Sequence, residues 1–286
     1  MRQKESAGST AVAVVLSLLL VLLVVVTIYL FVVKAWWFPV SITDFGHEVD
    51  NQFNRTLVIT GIVFVLSQLA LAYAVFKFRD HGQKARHVEG NLTYEVLWTA
   101  ATLVMFVGLG ILARSAWADV HFRPAAPGAM KIEVVGQQFK WSFRYPGPDG
   151  VFGRYKSVEQ AKAERARGDQ SASPWDLDAR DPAGKDDIVL GPGSEFAIPV
   201  NREVELSLRS QDVTHSFFVR ELRLKQDAVP GLLIKVHFTA TQVGAYEVPC
   251  AELCGTGHYQ MHTVMKVLSQ ADFDKWLADQ AAANAQ

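Results

Sequence analysis

Apolar positions along this chain fall into two regimes: three long runs at the front, then short alternating stretches. Residues 11–33 carry no charged side chain, and about 20 consecutive apolar residues suffice to cross a hydrocarbon core. Residues 57–76 form a second run, with Gln68 as its one strongly polar interruption. Residues 96–113 form a third, at the short end of the spanning range, with Arg114 placed to snorkel at its end. Trp36 and Trp37 follow the first run, and Trp98 and Trp117 flank the third, as aromatic belts do. The pattern predicts three transmembrane helices at about 11–33, 57–76 and 96–113, within a membrane anchor of residues 1–120. Met1 to Glu5 has the look of a basic signal-peptide head. The run behind it is too long for an ordinary signal core, however, and Lys34-Ala35-Trp36-Trp37 is a poor cleavage site, so a retained helix is expected.

From Met130 the period changes to two. Residues 131–136, 139–145, 203–209, 233–238 and 245–248 alternate like half-buried strands. Pro146-Gly-Pro-Asp-Gly and Gly191-Pro-Gly are turn signals. Many short strands with such punctuation predict an all-β Greek-key sandwich or barrel over residues 121–268. Residues 147–191 break the alternation and read as an insertion between strands, with a short exposed helix over 157–167 and a polar, acidic loop over 171–187. Residues 269–286 read as a C-terminal helix capped by Ser269, with Phe273, Trp276 and Leu277 on one apolar face.

Charge adds orientation and removes one class of partner. Lys and Arg number 28 against 29 Asp and Glu, a balance that offers no basic surface to a nucleic acid. Arg2 and Lys4 precede the first run, and Lys77, Arg79, Lys84 and Arg86 lie between the second and third. The loop between the first two is mainly acidic, with Asp44, Glu48 and Asp50 against Lys34 and Arg55. The positive-inside rule then places the N-terminus in the cytoplasm. Three crossings place everything after Trp117 outside, in the periplasm of a bacterial-type inner membrane.

The candidate chemistry is concentrated in twelve residues. Cys250 and Cys254 are the only cysteines, His258 follows four residues on, and Met261 three beyond that. Thiolate, imidazole and thioether are soft or borderline donors that suit copper rather than magnesium or calcium. Gly255 and Gly257 argue for a loop folded round an ion rather than a helix. A second imidazole is needed from elsewhere, and His215 at the head of an apolar strand is the best placed. His262 would point away if Met261 points in. His237 reads as packed or surface, and His47, His81, His87 and His121 as solvated. A plain Cys-x3-Cys disulfide is the competing reading, but it leaves His258 and Met261 unexplained. Structural zinc seldom recruits methionine, and no Cys-x-x-Cys-His haem site occurs.

The stretch Cys250-Ala-Glu252-Leu-Cys254-x3-His258-x2-Met261 resembles the binuclear copper A motif of subunit II of haem–copper cytochrome c oxidases. Asp212-Val-Thr-His215-Ser is similar to that family's upstream histidine segment, and Lys225-Gln-Asp227-Ala-Val-Pro230-Gly231 to the segment that follows. Asn91-Leu-Thr-Tyr-Glu95-Val-Leu-Trp98-Thr99 is similar to the start of its last membrane helix. The resemblance implies a cupredoxin-like domain in which Cys250 and Cys254 bridge two copper ions. His215 and Met261 would complete one copper, and His258 and the Glu252 carbonyl the other. It also implies a magnesium or manganese ion on the Glu252 carboxylate, shared with subunit I, and a proton-channel role for Glu95. The implied partners are subunit I with its haems and copper B, subunit III, a cytochrome c donor and the lipid bilayer. The chain alone would not be catalytic. Two features depart from the family. Phe139 stands where a tryptophan usually accepts electrons, so either Phe139 or Trp141 would take that part or the donor would dock differently, and the first membrane run is additional. A copper A subunit of a nitric oxide reductase and a membrane-bound copper-binding module are the alternatives.

Overall fold

The computed structural model describes residues 2–284 other than 82, 83, 85, 86, 88, 158, 161, 162, 164, 165 and 167–174. Contacts divide the chain into two compact units, residues 1–38 with 50–115, and residues 39–49 with 116–286. The expected helix over 157–167 lies mostly outside the described residues. At its head, Ser157 and Gln160 bond reciprocally through side chain and backbone, the pairing of a capping box.

The first unit is built from α1 (Arg2–Val32), α2 (Gly46–Lys77) and α3 (Leu92–His121), each long and apolar enough to cross a membrane. All three extend past their apolar runs, because an intrahelical bond satisfies the backbone whether the side chain is apolar or not. Asn91 caps α3 by accepting from the N–H groups of Thr93 and Tyr94. Ser17 of α1 donates to the Ala72 carbonyl of α2 at 3.1 Å. Ala13 and Ala72 are among the few buried positions of this unit, small residues that let two backbones approach. The apolar core of α3 presents no buried residue.

The second unit is a β-sandwich with ten strands among its described residues: β1 (Met130–Gln137), β2 (Lys140–Tyr145), β3 (Ile188–Val189), β4 (Phe196–Pro199), β5 (Glu203–Ser210), β6 (His215–Val219), β7 (Leu224–Ala228), β8 (Ile234–Thr239), β9 (Gly244–Pro249) and β10 (His262–Leu268). One sheet has the order β3-β2-β1-β5-β8 and another β4-β10-β9, while β6 pairs with β7. A single bridge, Phe217 to Cys250, links β6 to the residue that follows β9. Ile132, Val134, Phe143, Phe196, Leu206, Phe217, Met265 and Val267 meet in one apolar core. Alternation was legible in β1, β2, β5, β8 and β9. The short strands β3 and β4 were not anticipated, because two to four residues carry no periodicity, and β7 is largely polar.

The segment before α2 also belongs to this unit. Ile42 donates to Glu221 and accepts from Thr241, Thr43 bridges to Ala240, and Asp44 donates to Thr239. At the other end, α4 (Gln270–Asn284) starts on Ser269, whose hydroxyl accepts from the Asp272 N–H. It lays Phe273, Trp276 and Leu277 against the core.

The insertion over 147–191 is not a solvated loop where it is described. Its Trp175 is buried, and so are Asp181 and Asp187. The cause is Arg144 of β2, which has no exposed surface. It faces away from the sandwich core, opposite to its neighbours Phe143 and Tyr145. Its guanidinium bonds Glu133 on β1, Asp187 at 3.0 Å and the Gly153 carbonyl at 3.2 Å. Phe152, Tyr155 and Trp175 enclose it, with ring centroids 4.9, 5.0 and 5.4 Å away. A buried guanidinium requires partners of this kind, and the insertion supplies most of them. Burial raises the Asp187 carboxyl above its ordinary range, although the Gly153 N–H and Arg144 pull it down.

Candidate metal centre

Two strand ends and one loop assemble the donors. His215 opens β6, and Cys250 directly follows β9. The neck of the loop over 250–261 is closed by the Cys250 N–H on the Met261 carbonyl at 2.8 Å. The Ala251 N–H ties it to β6 through the Ser216 carbonyl at 3.0 Å. Within the loop, His258 to Gln260 form one tight helical turn, anchored by the His258 N–H on the Gly255 carbonyl. The sequence predicted a loop rather than a helix, and the structure has one.

The loop brings five soft donors together. The two sulfurs lie 3.9 Å apart, roughly twice a disulfide bond of about 2.05 Å, and both thiols are free. His215 Nδ1 is 3.9 Å from Cys250 Sγ, and His258 Nδ1 is 3.5 Å from Cys254 Sγ. Met261 Sδ is 3.8 Å from Cys254 Sγ. The ligand atoms of His215, Cys250 and Cys254 all lie within 4.8 Å of one another. The Glu252 carbonyl oxygen adds a sixth donor, 3.2 Å from Cys250 Sγ. Unbonded sulfurs flanked by two imidazole nitrogens and a thioether fit a thiophilic metal such as copper, and they do not fit a hard cation. His262 is exposed while Met261 is buried, as strand alternation requires.

A buried imidazole needs its second nitrogen satisfied. His215 Nε2 lies 2.8 Å from Asp212 Oδ1, so the carboxylate accepts from Nε2 and Nδ1 is left facing the sulfurs. Asp212 is itself fixed by the N–H groups of Val213 and Gln138, both at 2.7 Å. Burial works against ionised Asp212, but these donors and His215 hold its carboxyl below the usual range. Burial likewise opposes a Cys250 thiolate, yet contacts with His215 and the Glu252 and Ser216 backbone bring its pKa down to about 6. Cys254 goes the other way, to about 11, through burial and the neighbouring Cys250 sulfur.

The remaining sequence-derived residues are placed as follows. Trp141 is fully buried, with its ring centroid 6.0 Å from that of His215 and edge-on to it. It offers no surface to a docking protein. Phe139 is only partly buried and lies over the loop glycines: a Cβ on Gly257 would meet its ring at 2.4 Å. The Glu252 side chain is half-exposed and sits 3.6 Å from the Lys225 ammonium, which also holds Asp227 at 2.9 Å. Glu95 lies in the first turn of α3, in the helical unit. His237 packs inside the β unit, with Nε2 2.6 Å from the Arg123 carbonyl oxygen. Sequence reasoning gave no part to Gln138 or to the Asp212 carboxylate. Gln138 bonds a backbone carbonyl, and Asp212 is held by backbone N–H groups, contacts that spacing between residue types does not reveal.

The family described as cytochrome C oxidase subunit II, periplasmic domain, matches residues 177–268. An alternative cytochrome c oxidase subunit 2 from Bradyrhizobium diazoefficiens is 35% identical over 260 residues, 89% of this chain and 87% of that protein. A cytochrome c oxidase subunit 2 from Cereibacter sphaeroides is 31% identical over 225 residues, 77% of this chain and 72% of that protein. Among solved structures, the periplasmic domain of subunit II of cytochrome oxidase from Bradyrhizobium japonicum aligns with 56% of this chain and 97% of its own. The identity there is 25% and the TM-score 0.39. With a relative above 30% identity matched along most of both lengths, the chain belongs to the cytochrome c oxidase subunit II family.

Proposed function

We propose that this chain is the electron-transfer subunit of a respiratory haem–copper oxidase, taking electrons from a cytochrome c and passing them to the haem-bearing subunit I. The observation that carries this reading is the convergence of Cys250, Cys254, His215, His258 and Met261 at one end of a rigid sandwich. Cys250 and Cys254 would hold a dinuclear copper pair through their sulfurs. His215 with Met261, and His258 with the Glu252 carbonyl, would complete the set. A bound dinuclear copper pair supplies a one-electron couple whose charge is shared over two metals and two sulfurs. The protein contributes donors on strand ends and a water-poor setting, since Cys250, Cys254, Met261 and His215 are all buried. Such a frame would hold the ligands in place in both redox states. The Glu252 carboxylate, once parted from Lys225, is an oxygen ligand for a magnesium or manganese ion shared with subunit I. Residues 1–120 would anchor the sandwich in the inner membrane, with the sandwich in the periplasm and Glu95 near the cytoplasmic surface at the mouth of a proton path.

Detergent-purified full-length chain, loaded with copper, tests the proposal. Elemental analysis should return two coppers per chain, and electron paramagnetic resonance should show the seven-line pattern of an electron shared equally between them. Cys250→Ser and Cys254→Ser should each abolish it, and His262→Ala should leave it in place. A single copper with a four-line spectrum would refute the dinuclear assignment.

A further inference from the structure

The metal donors come from two places in the chain, the head of β6 and the loop after β9, and one residue outside both touches each of them. Gln138 stands at the turn between β1 and β2. Its backbone N–H donates to Asp212 Oδ2 at 2.7 Å, and the other oxygen of that carboxylate holds His215 Nε2 at 2.8 Å. Its side-chain amide Nε2 donates to the Cys254 carbonyl at 2.6 Å. The chain after Cys254 is shaped to permit this. Gly255 has φ of +133°, a conformation side chains rarely adopt, and a Cβ there would stand 2.8 Å from Gln138 Nε2. Gln138 is exposed on its outer side, so its amide is not placed there by core packing.

We infer that Gln138 is a positioning residue for the metal centre, setting Cys254 against His215 through two hydrogen bonds from one residue. The inference rests on the copper reading above. The side-chain arm fixes the peptide that carries the Cys254 sulfur, and hence the separation of the two sulfurs. The backbone arm fixes the imidazole through Asp212. Losing the amide frees the Cys254 carbonyl to turn, while the backbone arm and the sandwich core stay in place. The consequence belongs to the loaded centre: altered sulfur geometry and faster metal loss, with little change in the fold of the metal-free chain. Partners of this kind, one bond behind the ligands, commonly alter metal affinity by about 10–100-fold.

The test compares full-length parent chain with Gln138→Met, which keeps length and loses the donor, and with Gln138→Glu, which places an acceptor against the carbonyl. Three quantities are read: the thermal midpoint of metal-free chain, the paramagnetic resonance spectrum after copper loading, and the rate of copper transfer to a chelator. Both variants should keep the parent's metal-free midpoint, change the copper hyperfine pattern and release copper about tenfold faster. Spectra and release rates identical to the parent in both variants overturn the inference. A lowered metal-free midpoint with parent-like spectrum and release assigns Gln138 a merely structural part and equally overturns it. Should Gln138→Met not fold, Gln138→Glu is judged by the same readings. A parent chain that shows no dinuclear spectrum refutes the copper reading itself, a result distinct from variants that match a dinuclear parent.

Discussion

Gly257 shows how narrowly single residues constrain the centre. Its φ is −93°, which any residue tolerates, so its need for glycine is purely steric. A Cβ there would meet three atoms of the Phe139 ring between 2.4 and 2.7 Å away. A planar ring face cannot yield as the tip of a flexible side chain does. Gly257→Ala is expected to cost about 1–3 kcal/mol, the usual range for an overpacked site, and to weaken copper retention because His258 follows directly. Phe139→Ala in the same chain should restore part of both. Thermal melting and bound-copper content check this, and an unchanged single variant contradicts the contact. The candidate donor set was legible at this scale, since four of its side chains lie within twelve residues and their chemistry is distinctive. The contacts around it were not. Phe139 on Gly257 and Gln138 on Cys254 join segments more than 100 residues apart, one through ring packing and one through a carbonyl.

Among elements, the strands with strict alternation announced themselves, and the ones joined late in the sheet did not. β10 alternates well, with Thr263, Met265 and Val267 inward, but it directly follows Met261, and the ligand motif masks where the strand begins. The insertion misled for a different reason. Its composition is polar and acidic, yet Asp187 is consumed by a buried cation on β2 and Asp181 is held by Arg154, and composition does not show which charges are paired. Arg144→Met should therefore leave Glu133 and Asp187 buried without their partner. Breaking a buried ion pair on one side costs about 3–5 kcal/mol. Chemical denaturation should show a loss of that size, and limited proteolysis should cut near Tyr155 first, because Tyr155 is held there by its hydroxyl on Glu133 and its ring on Arg144. A stability equal to the parent's would mean that the cluster is not what holds the insertion.

For the whole molecule, two independent features support the proposal that the sandwich lies on the periplasmic side of the membrane. Charge is one: Lys77, Arg79, Lys84 and Arg86 crowd the connection between α2 and α3, and Arg2 and Lys4 the N-terminus, a bias that favours the cytoplasm for both. Backbone bonding is the other, and the sequence did not disclose it. The connection between α1 and α2 is bonded into the β unit through Ile42, Thr43 and Asp44. It therefore has to lie on the same side as the sandwich, which an acidic connection opposite two basic ones satisfies. Three residues making irregular bonds leave no periodic trace, whereas three apolar runs are unmistakable because a backbone in lipid must satisfy itself as helix. With three crossings, the proposed orientation puts an N-terminal epitope and the sandwich on opposite sides. Protease added to intact spheroplasts is expected to digest residues after Trp117 while a fragment bearing the N-terminal epitope survives until the membrane is opened. Digestion of the epitope from outside, with the sandwich protected, would reverse the orientation. Cleavage of both from outside would mean that α1 does not cross.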